Sequence, residues 1–145
     1  MKIDKSKTIV VTGGAGYIGS HIVLGMLDAG YEVVVVDKDK VACDYLIKRQ
    51  SRRKRLKVYN ADITNDVYMD GIFKNHDVGA VCHCAAYISV PESVDNPLKY
   101  YENNTAKTIN LLHRMKKNNI NVFLFASTAA VYGDQKGEAP ITEKT

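Results

Sequence analysis

The chain has 145 residues, 46% of them hydrophobic and 25% charged, with a net charge of +4, a composition that supplies a buried core and excludes a disordered polymer. Three cysteines without a scaffold spacing exclude a disulfide framework, and no apolar run approaches the roughly twenty residues that cross a bilayer; with the polar start Met1-Lys2-Ile3-Asp4-Lys5, the expectation is a cytoplasmic protein with no membrane partner. The positive excess is local to Lys48, Arg49, Arg52, Arg53, Lys54 and Arg55, which read as a solvated helix end and loop, so no nucleic-acid partner is expected.

Thr8-Ile9-Val10-Val11 reads as a buried parallel strand. The glycine-rich stretch Thr12-Gly13-Gly14-Ala15-Gly16-Tyr17-Ile18-Gly19 follows, and residues 17–29 carry Ile18, Ile22, Val23, Met26 and Leu27 near helical spacing. Gly30 is a C-cap candidate, and the β-branched run Tyr31-Glu32-Val33-Val34-Val35-Val36 predicts a second strand ending at Asp37. The pattern then predicts a helix over 41–50, a strand over 56–59, a short helix over 66–74 and a strand over 78–83. A long helix over 98–117 and a strand over 122–125 complete the series.

Such alternation predicts an α/β fold, a doubly wound parallel sheet of Rossmann type with strand order 3-2-1-4-5 and helices on both faces. Ligand groups then come from the carboxyl ends of the strands: the glycine turn, Asp37, Asp62-Ile63, Cys84-Ala85-Ala86 and Ser127-Thr128. Gly13 or Gly14 lets the chain turn, Gly16 leaves room for a pyrophosphate, and Gly19 lets the helix pack close to the strand. Backbone N–H groups around Tyr17 and Ile18 would face the diphosphate. Asp37 lies about twenty residues past the glycines, where a carboxylate accepts from the adenine ribose hydroxyls and repels a 2′-phosphate, so NAD is expected rather than NADP. Lys38 and Lys40 are neighbouring cations that pull the other way.

The segments TGGAGYIGSH, ADI, HCAAYISVPESV, PLKYYENN and ASTAAVYGDQ resemble successive blocks of the extended short-chain dehydrogenases, most nearly their UDP-glucose 4-epimerase branch, from about Thr8 to Thr145. The resemblance implies an NAD-dependent enzyme that interconverts UDP-galactose and UDP-glucose by transient hydride transfer at sugar carbon 4. It puts Tyr17 and Ile18 on the pyrophosphate, Asp37 on the ribose, and Asp62 and Ile63 around the adenine. Cys84, Ala85 and Ala86 match the turn beneath the nicotinamide half, Asn104 a helix residue that holds that region, Ser127 the active-site floor, and Thr128 the hydroxyl that bonds the sugar 4-OH. Ile88 stands where the branch often carries a cofactor-contacting lysine, and Lys38-Asp39-Lys40 replaces an asparagine-bearing stretch. The loss of an ammonium beside the cofactor costs about 1 to 3 kcal/mol. Structural roles compete for some of these residues: strand-end hydroxyls at Ser127 and Thr128, a plain polar helix residue at Asn104, a helix cap at Asp62.

The same resemblance calls for a Tyr-x-x-x-Lys pair on a helix beyond Thr128, followed by a substrate-binding region; residues 1–145 therefore read as an incomplete NAD-binding domain lacking both. Tyr132 and Lys136 form that pattern literally, but Tyr132 is four residues from Thr128, and Gly133, Asp134 and Gly137 argue against a helix that would stack the two. Thr128 alone is too weak an acid to serve as the base. A UDP-sugar is the expected partner of the complete enzyme, with a homodimer as the assembly to test. The alternatives are a non-catalytic dinucleotide-binding fragment and another nucleotide-sugar epimerase or dehydratase. A dehydratase needs Asp-Glu after the Thr, and Ala129-Ala130 stand there. Cys82-His83-Cys84 on a strand sends the histidine to the opposite face from the cysteines, so no metal is expected.

Overall fold

Val10, Val34, Val36 and Val81 point to one side of a sheet, and Ile9, Val11, Val33, Val35 and Cys82 to the other. A strand that must be apolar on both faces reads as an unbroken β-branched run, which is what a parallel sheet between two helix layers requires. The structure, a computed structural model, describes residues 3–133 and 140–142. Its five strands are β1 Thr8–Thr12, β2 Glu32–Asp37, β3 Leu56–Asn60, β4 Val78–His83 and β5 Phe123–Phe125, in the order β3-β2-β1-β4-β5. All four pairings are parallel.

Helices α1 (Tyr17–Asp28) and α2 (Lys40–Arg49) cover one face, placing Val23, Leu27 and Leu46 on the odd-numbered residues of β1 and β2. Helices α3 (Asp66–Asn75) and α6 (Lys107–Lys117) cover the other with Met69, Ile72, Phe73, Leu111 and Met115. Each such side chain removed from water contributes about 1.5 to 3 kcal/mol. Residues Lys48 and Arg49 lie in the last turn of α2, where cations suit the helix dipole. Arg53 pairs with Asp28 at 2.6 Å, and Arg55 donates to the Gly30 carbonyl, so this basic stretch ties the loop before β3 to the end of α1.

Two elements differ from the pattern expected over 98–117. A short helix, α4 (Val90–Asp95), precedes it, started by the Ser89 hydroxyl on the Glu92 N–H and by Pro91 in its first turn. The long helix itself is α5 (Pro97–Tyr100), a π-helical segment over Tyr101–Ala106, then α6. The wide turn carries Asn104, whose side chain is committed to the loop after β4; π segments of this kind mark places where side-chain direction outweighs regular winding.

Candidate functional site

The turn between β1 and α1 is built by close approaches. Gly13 has φ +67, donates its N–H to the Val36 carbonyl at 2.8 Å, and lies so near the loop after β4 that a Cβ would come within 2.6 Å of the Ala85 nitrogen. No residue but glycine combines that conformation with that gap. A Cβ on Gly19 would run into the Gly13 carbonyl oxygen, so the last glycine seats the first turn of α1 on the loop. Gly16 is different: a Cβ there would touch only the Gly13 oxygen, at 3.4 Å, and otherwise meets open space. Gly16 also caps α1 without a side chain, which leaves the first-turn N–H groups without a side-chain acceptor.

Three side chains tie the strand ends together around this turn. Asp37 accepts the Ala15 N–H at 3.0 Å through Oδ2 and the Asp39 N–H at 3.0 Å through Oδ1. Asp62 accepts from the Thr64 N–H and hydroxyl through Oδ1 and from Lys107 Nζ, at 2.8 Å, through Oδ2. Partial burial pushes the Asp62 carboxyl up, but the Lys107 ammonium and the two Thr64 donors outweigh it and hold the group below its ordinary range. Asn104 accepts the Tyr87 N–H and donates to the Tyr87 carbonyl, both at 2.9 Å, holding the loop as a second strand would. Across the cleft Lys38 donates to the Tyr87 hydroxyl at 2.7 Å, and this hydrogen bond holds the phenol below its usual value.

Between these elements opens a cleft of about 250 Å³ at the carboxyl ends of β1 to β4. Gly13, Gly16, Asp37, Lys38, Asp62, Ile63, Cys84, Ala85 and Ala86 line it, together with Val36, Asp39, Ala42, Ala61, Tyr87, Asn103 and Lys107. Ligands of open α/β sheets bind at this position, beside the glycine turn and the acid ending the second strand.

The protein-family comparison decides the matter: the model described as the NAD dependent epimerase/dehydratase family matches residues 9–145. The chain belongs to that family. Similar to it are a UDP-glucose 4-epimerase of Schizosaccharomyces pombe, 42% identical over 142 residues, and one of Haemophilus influenzae, 44% identical over 140. These matches take in 94% and 93% of this chain and 40% of each relative, so the chain spans about two fifths of their length. Among solved structures, the UDP-glucose 4-epimerase of Bifidobacterium longum in complex with NAD+ and UDP superposes with a TM-score of 0.81 at 38% identity, over 94% of this chain and 41% of that one. The UDP-glucose 4-epimerase of Thermus thermophilus in complex with NAD gives 0.80 at 31%, over 94% and 43%.

In this family member, the remaining sequence-derived residues are not on the cleft wall. Tyr17 and Ile18 are exposed at the start of α1, and Ile88 is exposed in the loop before α4. Asn104 acts through Tyr87. Ser127 and Thr128 are exposed beyond β5, where the Thr128 oxygen accepts the Ala130 N–H at 3.2 Å and starts a 3-10 turn over Ala129–Tyr132. Asp62 does not cap α3; Asn65 does, accepting the Tyr68 N–H. His83 points away from the cysteines and is buried between the hydroxyls of Thr12 (2.6 Å from Nδ1) and Thr108 (2.8 Å from Nε2). Lys136 of the literal Tyr-x-x-x-Lys lies outside the described residues. Sequence reasoning missed Tyr87, Asn103 and Lys107; for Lys107 the signal was its spacing of three residues from Asn104 and four from Asn103 on one helical segment.

Proposed function

We propose that the cleft binds NAD and that the chain is the dinucleotide-binding part of a UDP-glucose 4-epimerase-type enzyme. One observation carries the reading: a glycine turn too tight for any Cβ at Gly13 faces an acid at the end of β2 and a side-chain-free helix start at Gly16. The fit is chemical as well as spatial. The unfilled N–H groups at the start of α1 suit a diphosphate, the space beside Gly16 admits it, and Asp37 is an acceptor for ribose hydroxyls.

Bound there, NAD supplies a hydride acceptor for a sugar carbinol. The chain's own residues bind and orient. Of the residues lining the cleft, Asp62 and Ile63 would hold the adenine end and Cys84-Ala85-Ala86 the nicotinamide half, with Asn104 positioning the loop after β4 through the Tyr87 backbone. Thr128 is proposed to bond the sugar 4-OH and Ser127 to lie beside it, with the Tyr-x-x-x-Lys pair and the sugar-binding region supplied by sequence other than residues 1–145. Ala129 and Ala130 hold no proton to move, which favours epimerisation, where the hydride leaves and returns at one carbon, over elimination of water.

The partner is then a UDP-sugar. A homodimer is supported by an apolar stripe of Leu98, Tyr101, Ile109 and Leu112, all exposed along α5, the π segment and α6. A cytoplasmic location is supported by three free cysteines. Incubating residues 1–145, joined to the sequence that supplies the Tyr-x-x-x-Lys pair, with NAD and UDP-galactose tests the reaction class. Formation of UDP-glucose at unchanged mass supports it, and a product lighter by one water points to a dehydratase. NAD binding without turnover by residues 1–145 alone fits this reading and the non-catalytic one, which separate on whether turnover appears once the Tyr-x-x-x-Lys pair is supplied.

A further inference from the structure

Two thiols, Cys84 on the wall of the cleft and Cys82 buried behind it, take no part in bond making or proton transfer in the chemistry above. Cys82 and Cys84 are alternate residues at the carboxyl end of β4, so both side chains take the same face, and their sulfurs lie 3.9 Å apart. Cys82 is buried beside Val11, while Cys84 is half-buried and lines the cleft. The contact between them sets their acidity. The neighbouring S–H holds the Cys82 thiol below its ordinary value, and the same contact with partial burial pushes the Cys84 thiol up.

This geometry disfavours a disulfide. Alternate strand residues are about 6.6 to 6.8 Å apart at Cα, the upper edge of the disulfide range, and their parallel side chains keep the Cβ atoms far beyond the ~3.8 Å a disulfide needs. One bridging atom makes no such demand. With bonds of about 2.3 Å to each sulfur, a 3.9 Å separation subtends about 116° at that atom, between tetrahedral and trigonal. His83 cannot join, being turned to the opposite face, and among the described residues no group of three metal-ligating side chains forms.

We propose that Cys82 and Cys84 form a dithiol clamp for thiophilic ligands that bond two sulfurs through one atom, and that an occupied clamp and a bound dinucleotide exclude each other. The exclusion rests on the NAD reading of the cleft; the clamp itself does not. With a monosubstituted trivalent arsenical oxide as probe, two S–As bonds form and the arsenic–oxygen bonds break. The two thiol protons leave with that oxygen as one water, and neither arsenic nor sulfur changes oxidation state.

The test is intact-mass spectrometry after treatment with one equivalent of phenylarsine oxide, in the presence of an excess monothiol. One adduct per chain is expected, with two thiols lost to titration, reversed by a small dithiol and untouched by the monothiol. It should persist in Cys43→Ser and vanish in Cys84→Ser and Cys82→Ser; since Cys84 is part-exposed, its variant keeps the test should the buried one fail to fold. No adduct, or one surviving in Cys84→Ser, overturns the clamp. Saturating NADH should slow adduct formation at least tenfold. NADH that binds by calorimetry without slowing it overturns the exclusion, whereas failure of NADH to bind at all sinks the cofactor reading and leaves the clamp standing.

Discussion

Asp37 Oδ2 accepts the Ala15 N–H at 3.0 Å, so the carboxylate that ends β2 also holds the glycine turn that follows β1. Its other oxygen takes the Asp39 N–H. The acid therefore serves the shape of the cleft, beside the ribose contact proposed for it. Removing a charged acceptor costs about 1.5 to 3 kcal/mol. Asp37→Ala should lower stability in urea by that amount, weaken NADH and relax discrimination against NADPH. Asp37→Asn, with one acceptor oxygen for two N–H donors, should recover only part of the stability and none of the discrimination. Urea melts and nucleotide titrations of the two variants separate the roles.

Two glycines of one helix should respond in opposite directions. Gly25 lies in the exposed middle of α1 with open space where a Cβ would go, so Gly25→Ala should stabilise by about 0.5 to 1 kcal/mol. Gly19→Ala drives its methyl into the Gly13 carbonyl and must displace the turn, lowering both stability and NADH affinity. Thermal melts of the pair give the comparison.

Asn104 bonds the Tyr87 backbone twice, and its Oδ1 also accepts from Asn103 Nδ2 at 2.9 Å. Asn104→Ala should cost about 1 to 3 kcal/mol for the side-chain hydrogen bonds lost and free the loop after β4. Amide exchange at the Tyr87 N–H should accelerate, with NADH binding weakened, while protection in β1 follows only the global loss. Unchanged exchange at Tyr87 would contradict the positioning role.

Burial between Thr12 and Thr108 holds the His83 imidazole below its ordinary 6.5. The unfolded chain then takes up the proton first as pH falls. Stability is fully present above 6.5, declines as pH drops below it, and levels off once the folded state is protonated too. His83→Gln should flatten that decline. Asp62, held below 3.8, loses its contribution only further into acid, as pH falls through its lowered value, and Lys107→Met should remove part of that second decline. Melting temperatures from pH 3 to 8 resolve the two windows.

The strand order was legible because Val33 to Val36 must be apolar on both faces, a pattern that only a sandwiched parallel sheet explains. The lining at Gly13, Gly16, Asp37, Asp62 and Cys84 followed from that order, since strand ends meet at one edge. Less legible was the π segment, because apolar spacing records which side is buried and not how many residues make a turn; Asn104's attachment to Tyr87 is a long-range contact with no periodic trace. Tyr87 itself stands in an irregular loop. Its place on the cleft depends on Lys38 reaching it from β2, which no local pattern encodes.

The most direct measurement is calorimetric titration of NADH into the protein and into Gly16→Val. At Gly16 a Cβ is tolerated by the protein, at 3.4 Å from its one neighbour, so the added methyls enter the space proposed for the diphosphate rather than the core. The account predicts one NADH per chain for the unaltered protein and loss of at least a hundredfold in affinity for a Gly16→Val variant that melts as before. Equal NADH affinity in the two proteins, or no binding to either, would contradict it.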